Sequence, residues 1–371
     1  MIEFVEIRDL TLAVVGIIDD AKSIIWEMEY YGAGAFEIYA PFTAHNYDLL
    51  KAGYYITRQD EVNAAIIERV RYTYSQQDGQ MIIASGRMLK SILDRRIINR
   101  IDGSENSATR VSGSLVSAVR GLIQKHAGIN AGVRNMGVLF GNTGGISIDI
   151  PVRQTTFGGL LAFTDDLLHE FGCGAFMWIR RTNPAFIYEL YQGRDKSIGN
   201  TSGNEPVIFS QDYDNLVSSE YDIDISADKN AAVVGGEGQG IDRFYVYSAY
   251  TTNTGLDLKE MWVDASSLAR SYNDDEGEQH TYTDDQYSLL LYNQGLAQTR
   301  IQKPTETITG EINLTYSPYS FGQGKDFWLG DIVTIDDIIL GQRVDVRIIK
   351  ATEVQDESGY SLSVEYGNKE D

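Results

Sequence analysis

Three kinds of residue in this sequence could do chemistry: a glycine-rich run, a histidine close to the sole cysteine, and many neighbouring carboxylates. The glycine run lies in VVGGEGQGIDRFYVYS, residues 233–248. A dinucleotide turn needs G-x-G-x-x-G after a strand and at the start of a helix, whose N–H groups then meet a pyrophosphate. Here Gly236, Gly238 and Gly240 give G-x-G-x-G, and Ile241 stands where the third glycine should fall. The following RFYVYSAY is β-branched and aromatic and predicts a strand, and Glu237 would repel phosphate. No Gly-Lys-Ser/Thr follows, so a P-loop fails as well. The run reads as a hairpin turn with Asp242 and Arg243 at its exit, and no cofactor is expected.

HEFGC, His169 to Cys173, has the look of half a zinc helix. A zinc protease needs a second histidine at i+4 to put two ligands on one face. Cys173 stands there instead, past an expected helix stop at Gly172, while His45, His126 and His280 are scattered. Neither a metal site nor His-based catalysis is expected. Cys173 as nucleophile would need a cationic neighbour to lower its pKa, and Phe171, Ala175 and Phe176 point to packing instead. Asp165–Asp166, Asp222 with Asp224, Asp274–Asp275–Glu276 and Asp284–Asp285 are carboxylate pairs of the kind a glycosidase uses across a cleft. Among 53 acidic residues such neighbours arise by composition, so they read as solvated faces. NDDEGE lacks the D-x-D-x-D-G order of a calcium loop, and no G-x-S-x-G elbow occurs. The expected sets of catalytic, cofactor-binding and metal-ligating residues are therefore all empty, and the protein is expected not to be an enzyme.

The formal net charge of −22 opposes both nucleic-acid backbones and anionic lipid. With one cysteine, no disulfide can form within the chain. The start, MIEFVEIRDLTLAVVGIIDD, lacks the basic region of a signal peptide, and no apolar run is long enough to span a membrane. A soluble chain made in the cytoplasm is expected, with neither specific nucleic-acid binding nor stable membrane insertion.

The elements that must position these residues are mostly strands, given 23 Tyr, 36 Gly and only 6 Pro. Residues 2–88 predict five or six antiparallel strands, with turns at Gly32–Gly34 and at Asp78-Gly79, the latter a strong hairpin signal. Helical spacing marks 88–93, 112–126 and 157–171, with strands in CGAFMWIRR and PAFIYELYQGRD. From Tyr221 the β pattern resumes, interrupted by an acidic loop over 271–285 and a helix over 284–301. The fold class is thus mainly β with an α+β insertion: a first β-barrel region at 1–95, the insertion at 96–230, and a second β-barrel region at 231–371. The two β regions are expected to be copies of one small-barrel design.

Several stretches carry a resemblance in consistent order. WEMEYYGAGAFEIYAP, YQGRD (191–195), AAVVGGEGQGIDR, FWLGDIVTIDD (327–337) and LGQRVDVRIIKATEVQDESGYSLSVEYG resemble segments of phage tail hub and tail-associated proteins. That family serves siphovirus tails, contractile baseplates and injection systems, and phage-tail-like bacteriocins. The resemblance implies a virion structural protein: a homotrimer whose three pairs of barrels form a ring at the tail tip. The ring would act as a symmetry adaptor between a sixfold tail tube and a threefold spike. Implied partners are the tail tube or distal tail protein, baseplate wedge proteins, the central spike or tip, and the tape measure protein. Larger relatives carry a lytic domain, which is not expected here because the chain stops at its hairpin. The acidic surplus is expected to line a DNA-conducting lumen. A cell-wall hydrolase or a carbohydrate-binding tail module is the alternative.

Overall fold

The computed structural model describes residues 2–58, 63–98, 109–249, 252–273, 278–314, 317–339 and 341–368. The N-terminal stretch gives β1 (Val5–Arg8), β2 (Val14–Ile18), β3 (Ser23–Glu29), β4 (Ala35–Pro41), α1 (Ala44–Leu49), β5 (Tyr55–Thr57), β6 (Ala64–Ser75) and β7 (Gly79–Met88). β3 and β4 follow the two-residue period of a half-buried sheet: Ile24, Trp26 and Met28 point inward from β3, Phe36, Ile38 and Ala40 from β4. The expected turns are present, with β3 pairing β4 across Gly32–Gly34 and β6 pairing β7 across Asp78.

The insertion contains β8 (Thr109–Ser114), α2 (Leu115–His126), β9 (Val138–Phe140), β10 (Asp149–Thr155), α3 (Leu160–Glu170), β11 (Cys173–Ile179) and β12 (Phe186–Gln192). The Ser114 hydroxyl caps α2 by accepting from Ser117 N. Gly172 stops α3 with φ +61°, donating to the His169 carbonyl. The inward faces of both helices share a core with Leu89, Ile92 and Leu93, which sit on a short 3-10 helix over Leu89–Arg95.

β13 (Ile208–Ser210) and β14 (Leu216–Asp224) follow. A separate three-stranded sheet then has the order β16 (Tyr245–Ala249), β15 (Ala231–Gly235), β17 (Glu260–Asp264). α4 (Asp284–Ile301) packs on one face of it through Tyr287, Leu290 and Leu291. This helix has the predicted bounds because Thr283 and Gln286 form a reciprocal capping box. The segment expected as a loop over 271–285 contains a short hairpin, β18 (Ser271–Asn273) with β19 (Gln279–Thr281); Tyr272 packs on Tyr282 at 5.0 Å between ring centroids. Asp274, Asp275 and Glu276 lie outside the described residues.

The chain closes with β20 (Thr305–Ile312), β21 (Ile332–Asp337), β22 (Gln342–Asp356) and β23 (Gly359–Asn368). β22 pairs β3 from Lys350↔Glu29 to Asp356↔Ser23. The two β regions therefore fuse into one thirteen-stranded sheet with the main path β14-β20-β23-β22-β3-β4-β7-β6-β5-β1-β2, from which β21 and β13 branch at β22. One core runs through both halves, from Trp26 and Ile38 to Phe209, Phe327, Val364 and Tyr366. The fold is mainly β, as expected, but two separate closed barrels are not seen: among the described residues no pairing closes either half on itself. In space, β13 and β14 belong to this sheet, although they were expected within the insertion. The glycine run belongs to the separate sheet under α4, not to the start of a second barrel.

Candidate assembly interface

Two sequence motifs that lie more than 130 residues apart meet at Tyr30. The Tyr30 hydroxyl donates to the Gly172 carbonyl at 2.9 Å and accepts from Gly193 N at 3.0 Å. Its ring lies where side chains at Gly174 and Gly330 would stand. Gly193 of YQGRD packs so tightly on the Gly330 carbonyl of FWLGD that no Cβ fits. Next to it Asp331 accepts from Arg194 N at 2.8 Å, from the Arg194 guanidinium at 2.7 Å, and from Trp328 N at 3.0 Å. These residues join the insertion to the main sheet through hydrogen bonds among themselves.

The residues weighed for catalysis are dispersed. The Cys173 thiol is buried on β11 in the core of the insertion, and burial pushes its pKa up to about 11 despite the opposing charge of Arg347. His169 stacks on Tyr31 with ring centroids 4.0 Å apart. Burial raises the Asp165 carboxyl, opposed by Lys90, whose ammonium donates to it at 2.9 Å. Asp166 is raised by burial and then by Asp165. As successive residues of α3, the two carboxylates point about 100° apart and do not converge across a cleft. Asp222 and Asp224 sit on the exposed β14, and Asp284 pairs with Arg270. No cluster of three or more metal-ligating side chains is found among the described residues.

The glycine run is the hairpin turn predicted, joining β15 to β16. A Cβ on Gly236 would meet the Tyr287 hydroxyl at 2.6 Å, and Gly238 has φ +103°. That hydroxyl accepts from Glu237 N at 2.8 Å and donates to the Leu268 carbonyl at 2.7 Å, which fixes the turn to α4. The close approach of Tyr287 accounts for the small residue there.

The described surface exposes several apolar side chains beside its many carboxylates. β2 and β14 are the two ends of the main sheet path, each paired along one side only among the described residues. β2 exposes Val14, Val15 and Ile17; β14, whose register shifts between Leu216 and Ser218, exposes Val217 and Ile223 together with Glu220, Asp222 and Asp224. Phe42, Tyr47 and Tyr72 form an exposed aromatic trio with centroids 5.4 to 5.7 Å apart. Composition showed the aromatic surplus, but not which rings would stay outside.

The fold is that of phage tail proteins. The structure is similar to the tail protein from Neisseria meningitidis MC58, with 13% identity over 99% of this chain and 96% of the other, and a TM-score of 0.57. It is similar to the 43 kDa tail protein of prophage MuSo2 from Shewanella oneidensis, with 11% identity, coverage of 99% and 97%, and a TM-score of 0.56. The prophage tail protein gp18 from Listeria monocytogenes EGD-e gives 11% identity, 99% and 95% coverage, and a TM-score of 0.50. A search of curated proteins found no match to the sequence. Residues 4–368 match the Siphovirus ReqiPepy6 Gp37-like protein family, and the chain belongs to it.

Proposed function

We propose that this protein is a non-enzymatic structural hub, forming a homotrimeric ring at the tip or baseplate of a phage tail or tail-like particle. The ring adapts a sixfold tail tube to a threefold spike or tip. Its neighbours are the tube or distal tail protein on one side and the spike on the other, with wedge and tape measure proteins as further contacts. The observation that carries this reading is that β2 and β14, the two ends of the main sheet path, each pair with one strand only among the described residues, although α1 lies against β2 with His45 on the Ile17 carbonyl. Exposed edge strands with aliphatic side chains invite pairing by another chain, and proteins that stay monomeric blunt them. Two different edges on one molecule support head-to-tail contacts, which close into a ring when the rotation allows.

Native mass measurement over a concentration series, alone and with a purified tube protein, tests the proposal. The expected species has three times the 41.4 kDa chain mass and is lost in Val15→Lys and Val217→Lys. A stable dimer, or a trimer indifferent to both lysines, would overturn it.

A further inference from the structure

The sheet under α4 has a second face that nothing among the described residues covers. Side chains alternate along its strands, so Ala232, Val234 and Val263 turn to the helix while Val233, Tyr245, Tyr247, Glu260, Trp262 and Asp264 turn outward. Tyr245, Tyr247 and Trp262 are each 51% exposed. The pairing puts Tyr247 and Trp262 on either side of Val233, and Tyr245 and Asp264 on either side of Gly235.

The Trp262 indole is held flat. Its benzo ring lies over Gly235, where a Cβ would come within 2.3 Å of it. The Arg243 guanidinium sits 5.0 Å from the ring centroid and donates to the carbonyls of Gly235 and Gly236 at 3.0 and 3.1 Å and to the Asp264 carboxylate. A small residue beneath and a fully engaged arginine beside it fix the ring before anything binds. Glu260 and Asp264 stand two residues to either side of Trp262, about 7 Å away along the strand. Asp264 remains 57% exposed at its side chain, and hydrogen bonds from the backbone N–H and hydroxyl of Ser266, then from Arg243, hold its carboxyl down at about 2.

We propose that this face is a binding site for a neutral glycan, in which a pyranose stacks its C–H face on Trp262 and donates hydroxyls to Asp264 and Glu260. The charge pattern selects among occupants. A rim of carboxylates on a chain of net charge −22 repels phosphate-bearing polymers, so base stacking of nucleic acid is disfavoured. A dry protein interface would strip water from Glu260, a cost of several kcal/mol for an ion left unpaired. Sugar hydroxyls replace that water while the ring buries the indole.

The chain has four tryptophans, and Trp26 and Trp328 are buried, so 5-fluorotryptophan labelling and 19F NMR can follow Trp262 in the intact protein. The probes are chitotetraose, cellotetraose and maltotetraose, with poly(glycerol phosphate) as the anionic comparator. The expected result is a saturable shift of the Trp262 resonance by at least one neutral sugar, with a Kd of about 1 mM or tighter. Gly235→Ala should lift the indole and weaken binding about tenfold or more, and Trp262→Ala should abolish the heat of binding in calorimetry. No shift with any neutral probe, binding unchanged in Gly235→Ala, or broadening that depends only on protein concentration would overturn the proposal. The last result would assign the face to another copy of the chain.

Discussion

The ion pair between Arg58 and Glu353 ties the two halves of the main sheet together across 295 residues of sequence. Arg58 donates to both Glu353 oxygens, at 2.5 and 3.2 Å, with side chains only 3% and 5% exposed. The Tyr360 hydroxyl donates to the same carboxylate at 2.7 Å, and Arg58 lies 5.6 Å from the Trp26 ring centroid. Glu353→Gln removes the charge with little change of shape and breaks the bidentate pair with the buried guanidinium. Breaking such a pair costs about 3–5 kcal/mol, whereas replacing both partners by apolar groups of similar size is often neutral. The expected loss for Glu353→Gln is therefore about 3–5 kcal/mol. That is a fall in thermal midpoint of roughly 6–10 °C at about 2 °C per kcal/mol. The double variant Arg58→Met/Glu353→Met, which keeps a polarisable contact with Trp26, should return to within about 1 kcal/mol of the parent. Urea unfolding of both variants and of Arg58→Met alone completes the cycle. A single-variant cost below about 1 kcal/mol, or a double variant as unstable as the single, would refute the reasoning.

Three further outcomes follow from the same structure. Tyr30→Phe removes the bridge between Gly172 and Gly193 and should cost about 1–3 kcal/mol by urea unfolding, the penalty of stranding buried partners. With its pKa near 11, the Cys173 thiol at pH 8 should react with iodoacetamide at least about 200-fold more slowly than free cysteine, and at the free rate in urea; a native rate within tenfold of free cysteine would contradict the burial. Asp165 has its folded pKa raised above 3.8, so its native form holds its proton longer than the unfolded chain does. Its contribution is full below 3.8 and is lost as pH rises through the folded value. The parent should lose stability relative to Asp165→Asn across that window and run parallel to it above, which unfolding curves over a pH series would show.

Local elements were readable where the signals are local. Thr283 and Gln286 cap α4, Gly172 stops α3, and Asp78-Gly79 turns β6 into β7, so each stands where its residues place it. The glycine run was readable as a turn because Ile241 and the following β-branched strand break the nucleotide pattern. The joining of the halves was not legible, because β22 meets β3 through backbone pairing, which leaves no motif. The β18–β19 hairpin hid in a polar segment whose stability comes from Tyr272 packing on Tyr282, with Arg110 of the insertion 3.8 Å from the Tyr272 ring centroid. Alternation along β17 does not say which of its faces α4 takes.

The seam between β22 and β3 also sets a timetable for biogenesis. β3 emerges from the ribosome more than 300 residues before its partner. At about 5–20 residues per second, its unpaired edge waits roughly 15–60 s. During that interval Trp26, Ile38 and their neighbours lack the half of the core that the late strands supply. A chain that ended before β22 would keep that margin unpaired and open to chaperones and proteases.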